Sequence, residues 1–274
     1  MCTKEAIDFI LDLNKKGLGR NQILQKLNWS SKKLTNFCYN NKLEISKSNN
    51  LDISEEQKQV IIGSLLGDGC ISYSGKYSKN CRLQITHSMK QLEYLNYKYT
   101  IIKTLCNNNI VVRNRTDNRF KDPNYTVCEI KTKSLSIFSN YRNTWYKEGK
   151  KDLQNSNVNE IEPLGLAIWF MDDGYISGKS FLLATQSFYK KDLELLKKIL
   201  KDKFNIETVL RKNGEIYIRT KSSKEFVNLI KPYIVKQLYY KISLHLKPGE
   251  FRETPEVDNP EPSPNLNVLE RCND

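Results

Sequence analysis

Leu166-Ala167-Ile168-Trp169-Phe170-Met171-Asp172-Asp173-Gly174 is an apolar run that stops at an acid followed by glycine. Ile61-Ile62-Gly63-Ser64-Leu65-Leu66-Gly67-Asp68-Gly69 ends in the same way. Both read as the closing turns of helices. The carbonyl end of a helix carries partial negative charge, so a carboxylate there is disfavoured by roughly 0.3–1 kcal/mol. The following glycine reads as the helix stop, a residue able to take a left-handed backbone. One such motif is compatible with an acid that frays into solvent. Two in matching surroundings point to a cation that both acids meet.

The surroundings do match. Thr86-His87-Ser88 answers Thr185-Gln186-Ser187, and Thr132-Lys133-Ser134 answers Thr220-Lys221-Ser222. The offset between copies falls from 105 (Asp68 to Asp173) to 99 (Thr86 to Thr185) to 88 (Thr132 to Thr220), so order is kept while loops shorten. Periodicity predicts helix 55–67 with Ser54 as N-cap and Gln57 three residues on. Strands 70–74 and 81–87, helix 89–106, strands 109–116 and 125–132 and helix 134–146 follow. The second copy predicts a helix from 162, strands 175–178 and 180–187, helix 189–204, strands 207–212 and 215–220 and helix 222–235, with Gly214 in the last hairpin turn. Each copy is therefore αββαββα. Helix 189–204 puts Leu193, Leu195, Leu196, Ile199 and Leu200 on one side and lysines elsewhere, as expected of an element covering one sheet face.

The other sheet face is left for a partner. Arg113 and Arg115 alternate along one strand and Lys131 and Lys133 along its neighbour. Arg211, Tyr217, Arg219 and Lys221 sit at comparable spacing in the second copy. A solvated polar face explains any one of these strands. The same cationic bias in both copies points to a polyanion, and basic β-ribbons read the DNA major groove.

Composition agrees. The chain has 44 Lys+Arg against 31 Asp+Glu, a formal charge of +13. Residues 245–274 hold three basic and seven acidic residues, which leaves +17 on the rest. Such a charge steers nucleic acids, although membranes and acidic proteins also attract it. The sequence shows no secretory signal and no apolar run long enough to span a bilayer. Its seven cysteines form no C-x-x-C pair and only His87 and His245 accompany them, so no zinc site is expected and the thiols read as reduced. The expectation is an intracellular protein, with organellar, bacterial and phage origins left open.

The ends read as separate units. Residues 1–47 form a helix-turn-helix-like module: a helix at 4–15, a break at Gly17-Leu18-Gly19, a second helix at 20–27 and a third opened by Trp29-Ser30-Ser31. Lys32 and Lys33 are exposed on that third helix and are DNA-contact candidates; a plain three-helix packing module is the alternative. Ser46–Asn50 is a polar linker. The proline- and acid-rich segment 246–274 reads as a disordered acidic tail.

The paired acid-terminated helices resemble the signature of the LAGLIDADG homing endonucleases in their single-chain, two-repeat form. The second copy carries the resemblance furthest, in Ala167–Tyr175, Thr185-Gln186-Ser187-Phe188, Asn228–Tyr233 and Tyr239-Tyr240-Lys241. It covers residues from about 55 to 244, as in intron-encoded yeast mitochondrial endonucleases. The resemblance implies an α+β fold: a pseudo-symmetric pair of αββαββα subdomains, residues 55–151 and 160–244, with a central two-helix interface and antiparallel DNA-facing sheets. It implies a monomeric enzyme that cuts both strands of a long duplex site with Mg2+ or Mn2+, without a membrane partner. Asp68 and Asp173 match the metal-binding acids. The carbonyls of Gly67 and Asp172 are further oxygen candidates at the helix ends. Lys241 matches one active-site base, and Lys151 the other, with Lys150 left open. Gln186 joins the DNA-contact candidates.

Three departures stand out. Gly63 and Gly67 are answered by Ile168 and Asp172, so the helix interface must be asymmetric. Asp172 is an additional acid, either supporting Asp173 or competing with it as ligand. His87, answered by Gln186, is either a polar surface residue or a neighbour of the metal or phosphate. Three other readings remain in view: an RNA maturase acting on intron RNA, a non-catalytic DNA-binding regulator, and a structural scaffold, which leaves the paired acids unexplained.

Overall fold

A computed structural model describes residues 3–15, 20–43, 53–75, 78, 80–116 and 123–246. The Gly17–Gly19 break, the Ser46–Asn50 linker and all of the acidic tail after Leu246 lie outside the described residues. At the N-terminal end, α1 (Thr3–Lys15), α2 (Arg20–Leu27) and α3 (Ser31–Asn40) pack around Ile10, Leu13, Ile23, Leu34 and Cys38. Ser30 caps α3 by accepting the Lys33 amide. Lys32 and Lys33 are exposed, with Lys33 Nζ 4.6 Å from the centre of the Trp29 ring.

The first repeat runs α4 (Glu55–Leu66), β1 (Gly69–Tyr73), β2 (Cys81–Ser88), α5 (Leu92–Ile102), β3 (Val111–Thr116), β4 (Asn124–Lys131) and α6 (Ser136–Trp145). A short hairpin, β5 (Tyr146–Lys147) and β6 (Lys150–Lys151), turns through Glu148 and Gly149, both at positive φ. The second repeat runs α7 (Pro163–Asp173), β7 (Gly174–Ser177), β8 (Ser180–Leu183), α8 (Lys190–Phe204), β9 (Thr208–Leu210), β10 (Ile216–Ile218) and α9 (Ser223–Ile230), followed by a 3-10 stretch at Lys236–His245. The sheets are antiparallel with matching orders, β1-β2-β4-β3 and β7-β8-β10-β9. Ser54 and Gln57 form the capping box that starts α4.

The central layer is the pair α4 and α7, and its contact is glycine-made. Every residue of Gln59–Leu66 and of Leu164–Met171 is buried. A Cβ at Gly63 would overlap the Gly165 carbonyl oxygen and come 2.8 Å from Ile168 Cβ, and one at Gly67 would meet Asp172 Oδ2 at 2.6 Å. Gly63 in α4 and Gly67 at its C-cap leave holes against which Ile168 and Asp172 of α7 pack, which is the asymmetry the two signatures require. Gln59 ties the same pair together: its amide donates to Glu160 O at 2.9 Å and its carbonyl accepts the Glu162 amide at 2.7 Å.

Several expectations are corrected. Gly69 and Gly174 are not left-handed stops, since among described residues positive φ at glycine occurs only at Gly149, Gly178 and Gly214. They open β1 and β7, and a Cβ would strike Ser64 O (2.8 Å) or the Phe170 ring; close approach, not handedness, demands glycine. Strand β8 ends at Leu183, short of 187, because residues 185–188 turn into α8. The ladder also shifts the match between repeats. Gly69 pairs Ile85, which pairs Ile130; Gly174 pairs Leu183, which pairs Ile216. His87 therefore corresponds to Thr185 rather than Gln186.

Candidate active site

Each signature acid is carried to the same end of the α4–α7 pair by the helix before it. Asp68 lies just past α4 and Asp173 is the last residue of α7. The two ends touch: the Asp68 amide donates to Asp172 Oδ2 at 3.2 Å. Burial, then the charges of Asp68 and Asp172, push the Asp173 carboxyl up to about 6, against the pull of Lys151 and Lys241. Asp68 differs. Burial pushes it up, but the hydrogen bond from His87 and the nearby charges of Lys98 and Lys241 outweigh that, leaving it below its ordinary value.

The two lysines sit alike. Lys151 Nζ donates to Gly67 O at 3.0 Å, at the end of α4, and Lys241 Nζ donates to Met171 O at 2.6 Å and faces Asp172 O at 3.5 Å, at the end of α7. Burial depresses both ammonium groups, and the neighbouring aspartates only partly restore them. Lys150, the neighbour left open by sequence, is exposed on its short strand while Lys151 turns inward. The carbonyls of Gly67 and Asp172, candidate metal oxygens from the sequence, thus lie against lysine ammonium groups.

Asp172 is the surprise. Its side chain is fully buried, and both oxygens are taken by Lys98 Nζ, at 2.7 and 2.9 Å, while Tyr94 Oη donates to Oδ1 at 2.7 Å. Lys98 Nζ also lies 3.2 Å from His87 Nε2, and His87 Nδ1 lies 3.3 Å from Asp68 Oδ2. The partners assign the imidazole hydrogen to Nδ1, so His87 donates to Asp68. One ligand atom each of Asp68, His87 and Asp172 falls within a 4.8 Å cluster. That cluster is a poor cation seat, because an ammonium already fills the Asp172 side of it. The open carboxylates are Asp68, whose side chain is 42 % exposed, and Asp173. Two hard oxygen donors with mutual repulsion at a helix-end pair suit a hydrated divalent ion such as magnesium.

Lys98 and Tyr94 escaped sequence reading, although a signal exists. Tyr94, Leu95, Lys98 and Ile102 form the buried face of α5, so Lys98 occupies a position where the helical period calls for an apolar residue. Among the described residues no equivalent network lies in the second repeat: Thr185 holds the position that His87 has in the first, and Gly67 stands where α7 has Asp172.

The sheet candidates divide. Arg113, Arg115 and Lys131 share one open face and surround Glu129, with ion-pair distances of 3.3, 3.4 and 2.6 Å. Lys133 does not join them. It follows the end of β4 and donates to Thr104 O at 2.9 Å, toward the α5 side. Arg219 and Lys221 also lie past their strand and flank Glu207, at 3.9 and 2.7 Å. Arg211 and Tyr217 face each other across the second sheet, guanidinium to ring centre 5.0 Å, and Gln186 donates to Glu215 at 2.8 Å. Lys32 and Lys33 belong to the separate N-terminal cluster. Cysteines 38, 81, 106 and 128 are buried free thiols and Cys70 an exposed one. Among the described residues no helix is long and apolar enough to cross a membrane.

Comparison with known proteins gives a consistent picture. The model of the LAGLIDADG DNA endonuclease family matches residues 58–226. A cytochrome b mRNA maturase bI2 of Debaryomyces hansenii is 32% identical over 205 residues, covering 72% of this chain and 77% of that protein. DNA endonuclease I-ChuI of Chlamydomonas applanata is 29% identical over 214 residues, covering 70% of this chain and 97% of that one. Among solved structures, the homing endonuclease I-WcaI bound to its DNA recognition sequence superposes with a TM-score of 0.61 at 28% identity, covering 69% of this chain and 87% of that one.

Proposed function

The chain belongs to the LAGLIDADG DNA endonuclease family, and from that premise we propose that it makes a double-strand break in a long asymmetric DNA site by divalent-metal-dependent hydrolysis of one phosphodiester per strand. The observation that carries this reading is that Asp68 and Asp173, one from each repeat, lie at the same end of a glycine-packed helix pair whose ends touch, near enough for the charge of Asp68 to push the Asp173 carboxyl up.

In this reading Asp68 and Asp173 hold Mg2+ or Mn2+. The metal, when bound, supplies an activated water, a stabilised leaving oxygen and neutralised charge. Hydrolysis adds water to phosphorus and breaks one P–O bond in each strand. Lys151 and Lys241 stand over the helix ends with depressed ammonium groups. Each can steady negative charge building on the phosphate or pass a proton at Nζ. The buried Asp172 positions Asp68 by accepting its amide, and His87 orients the Asp68 carboxylate from the other side. The open sheet faces lie along the duplex, where phosphate contacts set register and side chains read base edges.

The test uses a supercoiled plasmid carrying the chain's selected site, with magnesium. Wild type should linearise it. Asp68→Asn and Asp173→Asn should each abolish linear product while duplex binding persists. Normal cutting by either variant would overturn the assignment.

The maturase name of the Debaryomyces hansenii relative supports a second reading, assistance to intron RNA splicing. A splicing assay with group I intron RNA separates the two. Splicing help that survives both aspartate substitutions, beside a wild type that cuts no duplex, would favour RNA.

A further inference from the structure

The two sheets each hold one buried acid where a polyanion-binding surface should least tolerate it. Glu129 is 2 % and Glu215 6 % exposed. Both sit one residue before the ladder-matched pair Ile130 and Ile216, so they occupy the same place in the two repeats. Their neighbours diverge: Gln84 and Lys131 form the cross-strand pair in the first sheet where Leu182 and Tyr217 do in the second. Both acids lie on the open face. The main core takes Leu83, Ile85 and Ile130 from one sheet and Leu183, Ile216 and Ile218 from the other, whereas Val127 and Leu182, also buried, are outside it.

Each acid gathers polar groups from its own strand or from the segments beside it. Glu129 Oε2 accepts from Gln84 at 2.7 Å and from Arg115 at 3.4 Å, while Oε1 lies 2.6 Å from Lys131 Nζ and 3.3 Å from Arg113 Nε. Glu215 Oε1 accepts from Tyr175 Oη at 2.6 Å and from Gln186 at 2.8 Å, and Oε2 lies 4.0 Å from Arg211. Arg211 in turn reaches Ser177 Oγ at 3.3 Å. The arginines keep their outer parts free, with side chains 51 %, 41 % and 43 % exposed for Arg113, Arg115 and Arg211.

A carboxylate facing phosphates repels them, so these acids cannot serve non-specific affinity. A long cationic side chain held from below presents its donors in one orientation, which phosphates do not need and base edges do. We propose that Glu129 and Glu215 are specificity-determining positioning residues, one per half-site, that hold Gln84, Arg113, Arg115 and Lys131 in one sheet and Tyr175, Gln186 and Arg211 in the other for base readout.

The inference rests on the DNA-cleavage reading above and is tested by binding alone. The full chain is challenged with a randomised duplex library without divalent metal, and base preferences are sequenced for wild type, E129Q, E129D and E215Q, with melting temperatures recorded. E129Q should lose about tenfold or more of the preference at base pairs in one half of the site, and E215Q in the other half. Affinity for scrambled duplex should be unchanged or higher, because one negative charge is gone. E129D keeps the charge but withdraws it by one methylene, so it should blur the same half as E129Q; should E129Q fail to fold, E129D and E215Q decide. A wild type with no preferred duplex would sink the nuclease reading and this inference with it. A sharp wild-type profile left intact by the folded variants, or one blurred equally in both halves, would sink only the role of the glutamates.

Discussion

At the scale of single residues, the two acids differ because their neighbours do. Burial first, and then the charges of Asp68 and Asp172, push Asp173 from 3.8 to about 6. A carboxyl whose pKa rises on folding holds its proton more tightly in the native state. Its stabilising contribution is therefore complete below about pH 4 and lost as pH rises to about 6. The melting temperature of the metal-free chain, measured against Asp173→Asn, should show a difference that declines across that window. A pH-independent difference would mean that neither burial nor the charge of Asp68 raises the Asp173 carboxyl. Asp68 runs the other way: its lowered pKa adds stability above its unfolded value, lost on acidification. Sequence pointed to both acids and to the candidate lysines. It also pointed to the additional acid Asp172, but not to the buried Lys98 that neutralises it, because a lysine on an amphipathic helix ordinarily reads as exposed.

At the scale of elements, the α4–α7 pair decides the geometry of the site. Alanine is a better helix former than glycine by about 1 kcal/mol. At Gly63, however, a methyl would overlap the Gly165 carbonyl oxygen and press on Ile168. Gly63→Ala should therefore lower stability by about 1–3 kcal/mol, as overpacking does, in urea unfolding followed by circular dichroism. A more stable variant would contradict the close backbone approach. The strands were legible from alternation, but their ends and register were not. Lys133, Arg219 and Lys221 continue the alternation past the strand ends, Lys131 and Ile218; there Lys133 reaches the Thr104 carbonyl and the chain enters a 3-10 turn at Thr220–Ser222.

At the scale of the whole molecule, charge sets how strongly and how selectively a duplex is held. With +13 overall, six to ten phosphate contacts would reduce affinity by roughly 10³–10⁵ between 50 and 200 mM salt. Binding isotherms across that range check it, and a nearly flat salt response would remove the electrostatic footprint of a DNA-binding chain. Duplication, helix and strand order, the two signature acids and the basic bias were determined by the sequence itself, because each is written in local periodicity and composition. The tertiary structure alone decided that His87 matches Thr185, that Lys98 reaches inward to Asp172, that Lys151 rather than Lys150 meets Gly67, and that Glu129 and Glu215 share one position. Those depend on cross-strand register and on which helix faces meet, and such long-range contacts leave no periodic trace in the chain.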